Sequence, residues 1–248
     1  RRHMTDDLAT KVCLITGCDE GLGLGLAVGM AHRGMRVVGG LLKPDQPPAA
    51  LVTESNVTMI PMNVTDRDQV DRAVQSTLDQ FGRIDVLINN AGIYPRCPAA
   101  ELDERKWREL MDVNLDGVWR CIEAVIPSMK ARGSGNIINV GSIGFIAGMA
   151  NLAHYHSSKA AIVGLTRGLA RDLGSSGVRV NAIHLGAVLT DGELRLFPDQ
   201  EKIEDQMNAL QCLPGRMTPD SVEPVFAFLA SDASRDITGQ CIVADRGW

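Results

Sequence analysis

Tyr155 and Lys159 stand four residues apart in His154-Tyr-His-Ser-Ser-Lys159, a spacing that puts both side chains on one face of a helix. A free tyrosine titrates near ~10, too high to exchange a proton readily at neutral pH. An ammonium beside the phenol favours the phenolate and lowers that value. A tyrosine tuned in this way can act as general acid or base. Ser142 precedes Tyr155 by thirteen residues and follows an apolar run that reads as a strand. Its hydroxyl could hold a substrate oxygen against the phenol. Tyr-x-x-x-Lys also arises on ordinary solvated helix faces, so this reading depends on what else the chain carries.

The rest of the chain supplies elements able to position such a group. Lys11–Thr16 is a short apolar run, read as a buried strand. It leads into Gly17-Cys-Asp-Glu-Gly21-Leu-Gly23-Leu-Gly25 and a helix that Gly34 ends. Strand, glycine turn and helix aim backbone N–H groups at a phosphate. The spacing is Thr-Gly-x-x-x-Gly-x-Gly, since Leu26 stands where Gly-x-Gly-x-x-Gly would need a third glycine. The competing reading is a turn with helix-packing glycines. Met35–Leu41 is the second strand, with no acid before Asp45, and Pro44, Pro47 and Pro48 mark a loop. Val57–Pro61 is the third strand, and a helix runs from Asp66 to Phe81 with Thr65 or Asp66 as cap. Ile84–Asn89 is the fourth and ends in Asn89-Asn-Ala-Gly92, at the strand edge where open α/β sheets bind ligands. A long helix over 103–129 contains Asn114. Asn136–Val140 delivers Ser142, the Tyr155 helix follows, and Val178–Ile183 leads into Gly186–Thr190. Residues 191–217 change character, a polar segment punctuated by Phe197, Met207, Leu210, Cys212 and Leu213 with Pro198 and Pro214. They read as a mobile lid over the site, or else as a surface helical excursion. A helix over 219–231 and a strand over Cys241–Ala244 complete the chain. The unbroken alternation predicts one α/β domain over 1–248, a doubly wound Rossmann-type fold with a mostly parallel seven-stranded sheet and helices on both faces.

Composition narrows the function. The chain has 248 residues, 45% apolar and 22% charged, with a net charge of −5 and no long basic run. Nucleic acid and anionic membrane surfaces both call for a basic face, so neither is expected as a partner. No apolar run is long enough to span a bilayer. No secretory signal opens the chain, and residues 1–4 look like a cloning remnant before a native start at Met4. Six cysteines, none in Cys-x-x-Cys spacing, signal no metal site and fit a reducing, cytoplasmic compartment.

Taken together, these motifs resemble the short-chain dehydrogenase/reductase family in its common single-domain form. The resemblance covers Lys11 to Asp245. It rests on Thr16-Gly-Cys-Asp-Glu-Gly-Leu-Gly23, Asn89-Asn-Ala-Gly92, Asn114, Ser142, Tyr155-x-x-x-Lys159, the Gly186–Thr190 segment and Ile237-Thr-Gly-Gln240. It implies that Tyr155 is the catalytic acid or base, that Ser142 orients the carbonyl or hydroxyl, and that Lys159 lowers the tyrosine pKa and holds the nicotinamide ribose. Asn114 would anchor a water relaying protons toward Lys159, or simply bridge a helix kink. Asn89 would serve only to tie strand ends together. The implied coenzyme shell is Gly17, Asp19, Glu20, Gly21, Leu22 and Gly23 at the pyrophosphate turn, Leu41 at the second strand, and Asn63 and Val64 at the adenine. Asn90, Ala91 and Gly92 would line the adenosine and ribose region, and Gly186, Val188 and Thr190 would close on the nicotinamide amide. Asn63 stands where the family more often has Asp, and would serve the adenine amine. Three departures stand out: Gly141 for a common Ser, Leu185 for a Pro, and Arg246 for a Gly that could touch a neighbouring subunit.

The implied activity is NAD(P)-dependent interconversion of a secondary alcohol and a ketone. Hydride transfer to a ketone leaves an alkoxide that needs a proton and hydrogen-bond donors; Ser142 and Tyr155 can supply both. With no acid at Leu41, the usual NAD signal is missing. Glu20 would repel a 2′-phosphate while Lys43 would attract it, and the balance leans to NAD(H) over NADP(H). Ile93, Tyr94, Pro95, Phe145, Ile146, Met149, His154 and the 191–213 segment would wall a pocket for a mainly apolar substrate, cyclic ones included. The family implies a homotetramer built on the helices after Asp103 and Tyr155. The alternatives are a catalytically silent nucleotide-binding module, which the intact Ser142, Tyr155, Lys159 and Asn114 argue against, and a lyase or epimerase, for which a larger C-terminal domain is expected.

Overall fold

The computed structural model describes residues 6–196 and 199–248; the suggested remnant at 1–4, together with Phe197 and Pro198, lies outside them. The strands are β1 (Val12–Thr16), β2 (Arg36–Leu41), β3 (Val57–Pro61), β4 (Val86–Asn89), β5 (Gly135–Ser142), β6 (Val178–Leu185) and β7 (Cys241–Ala244). Among the described residues they form one sheet in the order β3-β2-β1-β4-β5-β6-β7. Every pairing is parallel, where a mostly parallel sheet was expected. Parallel sheets are covered on both faces, and so their strands read as unbroken apolar runs. In β1 the alternation is visible: Cys13 and Ile15 enter one core, Val12 and Leu14 the other.

The helices are α1 (Gly21–His32), α2 (Ala49–Val52), α3 (Arg67–Phe81), α4 (Glu104–Met111), α5 (Gly117–Arg132), α6 (Gly144–Ala147), α7 (Ala153–Gly174), α8 (Asp191–Leu196), α9 (Gln200–Leu210) and α10 (Pro219–Ala230). The first core joins the sheet to α1 and α10 through Leu26, Met30, Val222 and Phe226. The second joins it to α3, α5 and α7 through Val70, Ile122, Val125, Ile162 and Leu173. Asp66 caps α3 by accepting the Gln69 N–H at 3.1 Å, and Gly82 ends that helix in the left-handed region.

The expected helix over 103–129 is two helices joined by a π turn at Asp112–Asp116. The turn carries Asn114, and just beyond it Gly117 packs so closely on Val64 that a methyl there would lie 2.8 Å from Cγ2. Helical periodicity continues across such a turn, which is why the sequence pattern reads straight through it. Short α2 follows Pro48, where only a loop was expected. The 191–217 insertion holds α8 and α9, and its two ends are clamped by a bridge from Val188 to Met217. Strand order reverses between β1 and β4, so their carboxyl ends flank the crevice at the switch point.

The face between α1 and α10 is made by glycines. A methyl at Gly25 would overlap Pro219, and Gly29 lies against Glu223, whose carboxylate takes two bonds from Arg33 at 2.7 and 2.8 Å. Gly25→Ala gains about 1 kcal/mol of helix propensity, yet overpacking of this kind costs about 1–3 kcal/mol. We expect net destabilisation in urea. Gly174→Ala, where nothing lies within 4 Å, should be neutral or slightly stabilising.

Candidate active site

The turn after β1 is built around missing side chains. Gly17 and Gly21 have φ of 71° and 60°, a region that favours glycine. A methyl on Gly17 would come within 2.9 Å of Ala91 Cα, and one on Gly23 would overlap the Gly17 carbonyl. Glu20, at the N-cap of α1, makes no side-chain cap bond. The first N–H groups of α1 are therefore open to an anion, and the cradle fits a pyrophosphate. Thr16 Oγ1 accepts the N–H groups of Asn90 and Ala91, each at 3.0 Å. Asn90 Nδ2 donates back to the carbonyls of Thr16 and Gly17, also at 3.0 Å. The ends of β1 and β4 are thus locked together around the cradle. On its other side the Cys18 N–H donates to Gly40 O at 2.9 Å, and the Asp19 carboxylate accepts the N–H groups of Leu42 and Lys43 at 2.9 and 2.8 Å.

Tyr155 and Lys159 lie on α7 as the spacing predicts, and β5 extends to Ser142 beside them. The Ser142 side chain neighbours the Tyr155 phenol, and Ser142 Oγ accepts the Gly144 N–H at 3.0 Å. Lys159 is buried, with Nζ 5.8 Å from the centre of the tyrosine ring and donating to Val140 O at 2.8 Å. The expected lowering of the tyrosine pKa is not what these residues produce on their own. Burial raises the phenol above its usual value, against a lowering contribution from Ser142. The ammonium sits over the ring rather than at the hydroxyl, so desolvation prevails. Burial also lowers Lys159 to about 8.

Other predicted residues do different work. The Asn114 side chain bridges the Ile93 peptide, with Oδ1 accepting its N–H and Nδ2 donating to its carbonyl, both at 2.8 Å; Nδ2 also reaches Ser158 Oγ at 3.3 Å. The brace uses both Nδ2 hydrogens and one of the two Oδ1 lone pairs. Asn89 ties strand ends, as its competing reading had it, donating to Asn139 Oδ1 at 2.9 Å. Asn63 Oδ1 accepts both the N–H and the hydroxyl of Thr65, at 3.1 and 2.9 Å. Its oxygen is thereby occupied, and the amide nitrogen is what remains for an adenine, suiting a ring acceptor rather than the amine. Leu41 and Val64 turn into the two cores, so neither side chain faces the crevice. Gly186 lies against Asp245, where a methyl would sit 3.0 Å from Cβ. Leu22 packs on the first core, and Gly92 comes between Asn114 and Lys159. Thr190 stands over Gly21 and accepts the Glu193 N–H at 3.2 Å.

The departure at Gly141 has a structural reason. A Cβ on Gly141 would overlap the buried His184 ring, which takes the space a serine would use. His184 Nδ1 lies 3.2 Å from Ser142 O, and Phe145 covers the ring edge-on at 5.2 Å. Burial lowers the His184 pKa, so the neutral ring donates from Nδ1 to that carbonyl. Phe145 thus roofs His184. His154 is buried too and lines a cavity of about 250 Å³ together with Ile93, Pro95, Cys97 and Leu110. Sequence reasoning missed Thr16, His184 and Arg195. Arg195, on α8, pairs with Glu20 across the crevice. Tyr94 lies 6.2 Å from Tyr155, ring centre to ring centre. Arg246 adopts φ of 63°, and its Nε donates to Leu213 O at 3.1 Å within the same chain.

Comparison with known proteins agrees with this arrangement. A family model described as enoyl-(acyl carrier protein) reductase matches residues 17–248. A 3-oxoacyl-[acyl-carrier-protein] reductase of Thermotoga maritima is 36% identical over 249 residues, covering 97% of this chain and 98% of its own. A D-xylose 1-dehydrogenase of Caulobacter vibrioides is 37% identical over 242 residues, covering 97% and 96%. The solved structure of ElxO with NADP bound superposes with a TM-score of 0.88 at 27% identity, over 95% of this chain and 97% of that one. The chain belongs to the short-chain dehydrogenase/reductase family. It is an NAD(P)-dependent oxidoreductase acting on CH–OH and C=O groups.

Two measurements probe the site. Gly141→Ser should destabilise the protein by about 1–3 kcal/mol, and His184→Ala in the same chain should recover part of that loss in a double-mutant cycle. The second concerns Lys159, lowered from 10.5 to about 8. Between those values the unfolded lysine keeps a proton that the folded one has shed, so its contribution to stability rises with pH. The unfolding free energy of the wild type relative to Lys159→Met should increase from pH 8 to about 10.5; a flat difference would contradict the burial.

Proposed function

We propose that this enzyme interconverts a mainly apolar ketone and its secondary alcohol with NAD(H). Tyr155 serves as the proton-exchanging group, Ser142 as the anchor of the substrate oxygen, and Lys159 as the cation that supports the phenolate. The observation that carries this reading is the placement of the Tyr155 phenol next to the Ser142 side chain and a buried Lys159. The coenzyme supplies or accepts the hydride when bound. The residues of the chain do the rest. Open amides at the start of α1 hold the pyrophosphate, Ser142 fixes the reacting oxygen, and Tyr155 Oη exchanges a proton with it. The Lys159 ammonium, already desolvated, interacts strongly with any negative charge that develops on the phenol.

An apolar substrate is favoured by large apolar side chains left exposed on the segments that follow β4 and β5 and on the insertion. They are Ile93 and Tyr94 after β4, Ile146 after Ser142, and Leu194, Leu210 and Leu213 in the insertion. NAD(H) is favoured by the acid Asp19 at the cradle, although the solved relative carries NADP. A homotetramer through α4, α5 and α7 is favoured by exposed Trp107 and Trp119 and by Gly164 and Gly168, which have no neighbour within 4 Å. Six free thiols, four of them buried, suit a reducing cytoplasm.

A panel of ketones and secondary alcohols, followed by absorbance of the reduced nicotinamide, tests the activity. Tyr155→Phe should lower kcat by about 10²–10⁴-fold with coenzyme affinity retained. Turnover near the wild-type rate would remove Tyr155 from the mechanism. Light scattering of the same protein should give a tetramer.

A further inference from the structure

The second strand of this chain ends without the acid that commonly binds adenosine ribose hydroxyls. Leu41 is buried in the core, Leu42 is 61% exposed, and the next acid in sequence is Asp45. The fold nevertheless brings a carboxylate to that edge from a different element. Asp19 lies in the glycine-rich turn, and its two oxygens accept the N–H groups of Leu42 and Lys43, the first two residues beyond β2, at 2.9 and 2.8 Å. The neighbouring Cys18 N–H is fixed to Gly40 O at 2.9 Å. Three bonds therefore hold the carboxylate at the carboxyl end of β2, next to the cradle that fits a pyrophosphate.

We infer that Asp19 is the coenzyme-discriminating residue of this enzyme, accepting the adenosine ribose hydroxyls of NAD(H) and opposing the 2′-phosphate of NADP(H). A carboxylate offers about four lone-pair sites. The two backbone N–H groups take two of them, and the others remain for hydroxyl donors. A 2′-phosphate brings only acceptors and a further negative charge to the same place. Glu20, the other acid of the turn, has its charge offset by Arg195, whereas Asp19 has no ion-pair partner among the described residues. Lys43 contributes its backbone N–H to Asp19, not its ammonium.

The inference rests on the coenzyme reading above, and calorimetric titration with NAD⁺ and NADP⁺ separates the two. That measurement needs no substrate and no turnover. The wild-type ratio of the two affinities tests the NAD(H) preference. The change in that ratio on substitution tests Asp19. Asp19→Ser should weaken NAD⁺ and tighten NADP⁺ so that the ratio moves toward NADP⁺ by about tenfold or more, the scale of a lost hydrogen bond to a charged group. Asp19→Asn keeps the shape and one acceptor without the charge, and should move the ratio the same way should the serine variant fold poorly. Asp45→Asn should leave it unchanged. A ratio in Asp19→Asn equal to that of the wild type would overturn the inference, whichever coenzyme the wild type prefers. A wild-type preference for NADP⁺ that increases on substitution would overturn the NAD(H) preference and uphold the role of Asp19.

Discussion

The hydroxyl of Thr16 and the amide of Asn90 interlock where β1 and β4 part, and the rest of the site depends on that lock. At this point strand order reverses and neither strand can satisfy its last backbone groups from a neighbour in the sheet. Four bonds of 3.0 Å resolve the shortage. They also bring the glycine turn and the Asn90–Gly92 segment so close that only a hydrogen fits at Gly17 and Gly23. The crevice follows directly. So does the exit direction of the chain toward Ile93, whose peptide Asn114 then grips from the π turn. The widened turn and the polar lock are two parts of one scaffold that sets Tyr94 against Tyr155.

Within that scaffold, the chemistry is poised by burial more than by pairing. Burial raises the tyrosine and lowers the lysine, so each is biased toward its neutral form. Such a pair resists charge separation until something polar arrives between the two groups or beside them. A desolvated ammonium held by a single carbonyl acts with little screening on any charge that forms nearby. The serine is also pre-set, since the Gly144 N–H orients its oxygen and His184 sits behind its backbone. The cost of a buried cation is therefore tied to a function, in line with the rule that perturbed groups cluster at working sites.

The order of elements was legible because each one is written locally. Apolar runs mark strands buried on both faces, Asp66 and Gly82 mark the ends of a helix, and Tyr155 and Lys159 share a face by spacing alone. What was not legible depended on contacts between distant segments. No local pattern says that Asp19 will reach the amides of residues 42 and 43, or that Gly141 is small because His184 fills its space. The π turn escaped because it preserves the apolar periodicity on either side. The tyrosine shift was misjudged because helical spacing fixes which face a lysine shares, but not whether its ammonium meets the phenol oxygen or the ring. That the Leu41 and Val64 side chains turn into the cores was equally unreadable, since it depends on the packing of distant helices.

The 191–217 insertion is held by a different kind of interaction from the packed sheet. The insertion contributes little to either core. It is tied down by charge and by backbone bonds: Arg216 to Glu193 at 2.5 Å with both side chains largely buried, Arg195 to Glu20, and Arg246 to Leu213. Cys212 and Leu213 also pair with the C-terminal backbone, through Gly247 O at 3.2 Å and Arg246 O at 2.9 Å. The left-handed φ of Arg246, unfavourable for a side-chain-bearing residue, is accepted where its guanidinium secures this clasp. Such ties are specified residue by residue, and exchanging them would reshape the insertion without disturbing the packed sheet. Ser142, Tyr155 and Lys159 lie on β5 and α7, on the other side of that division, held by the packed sheet and its helices.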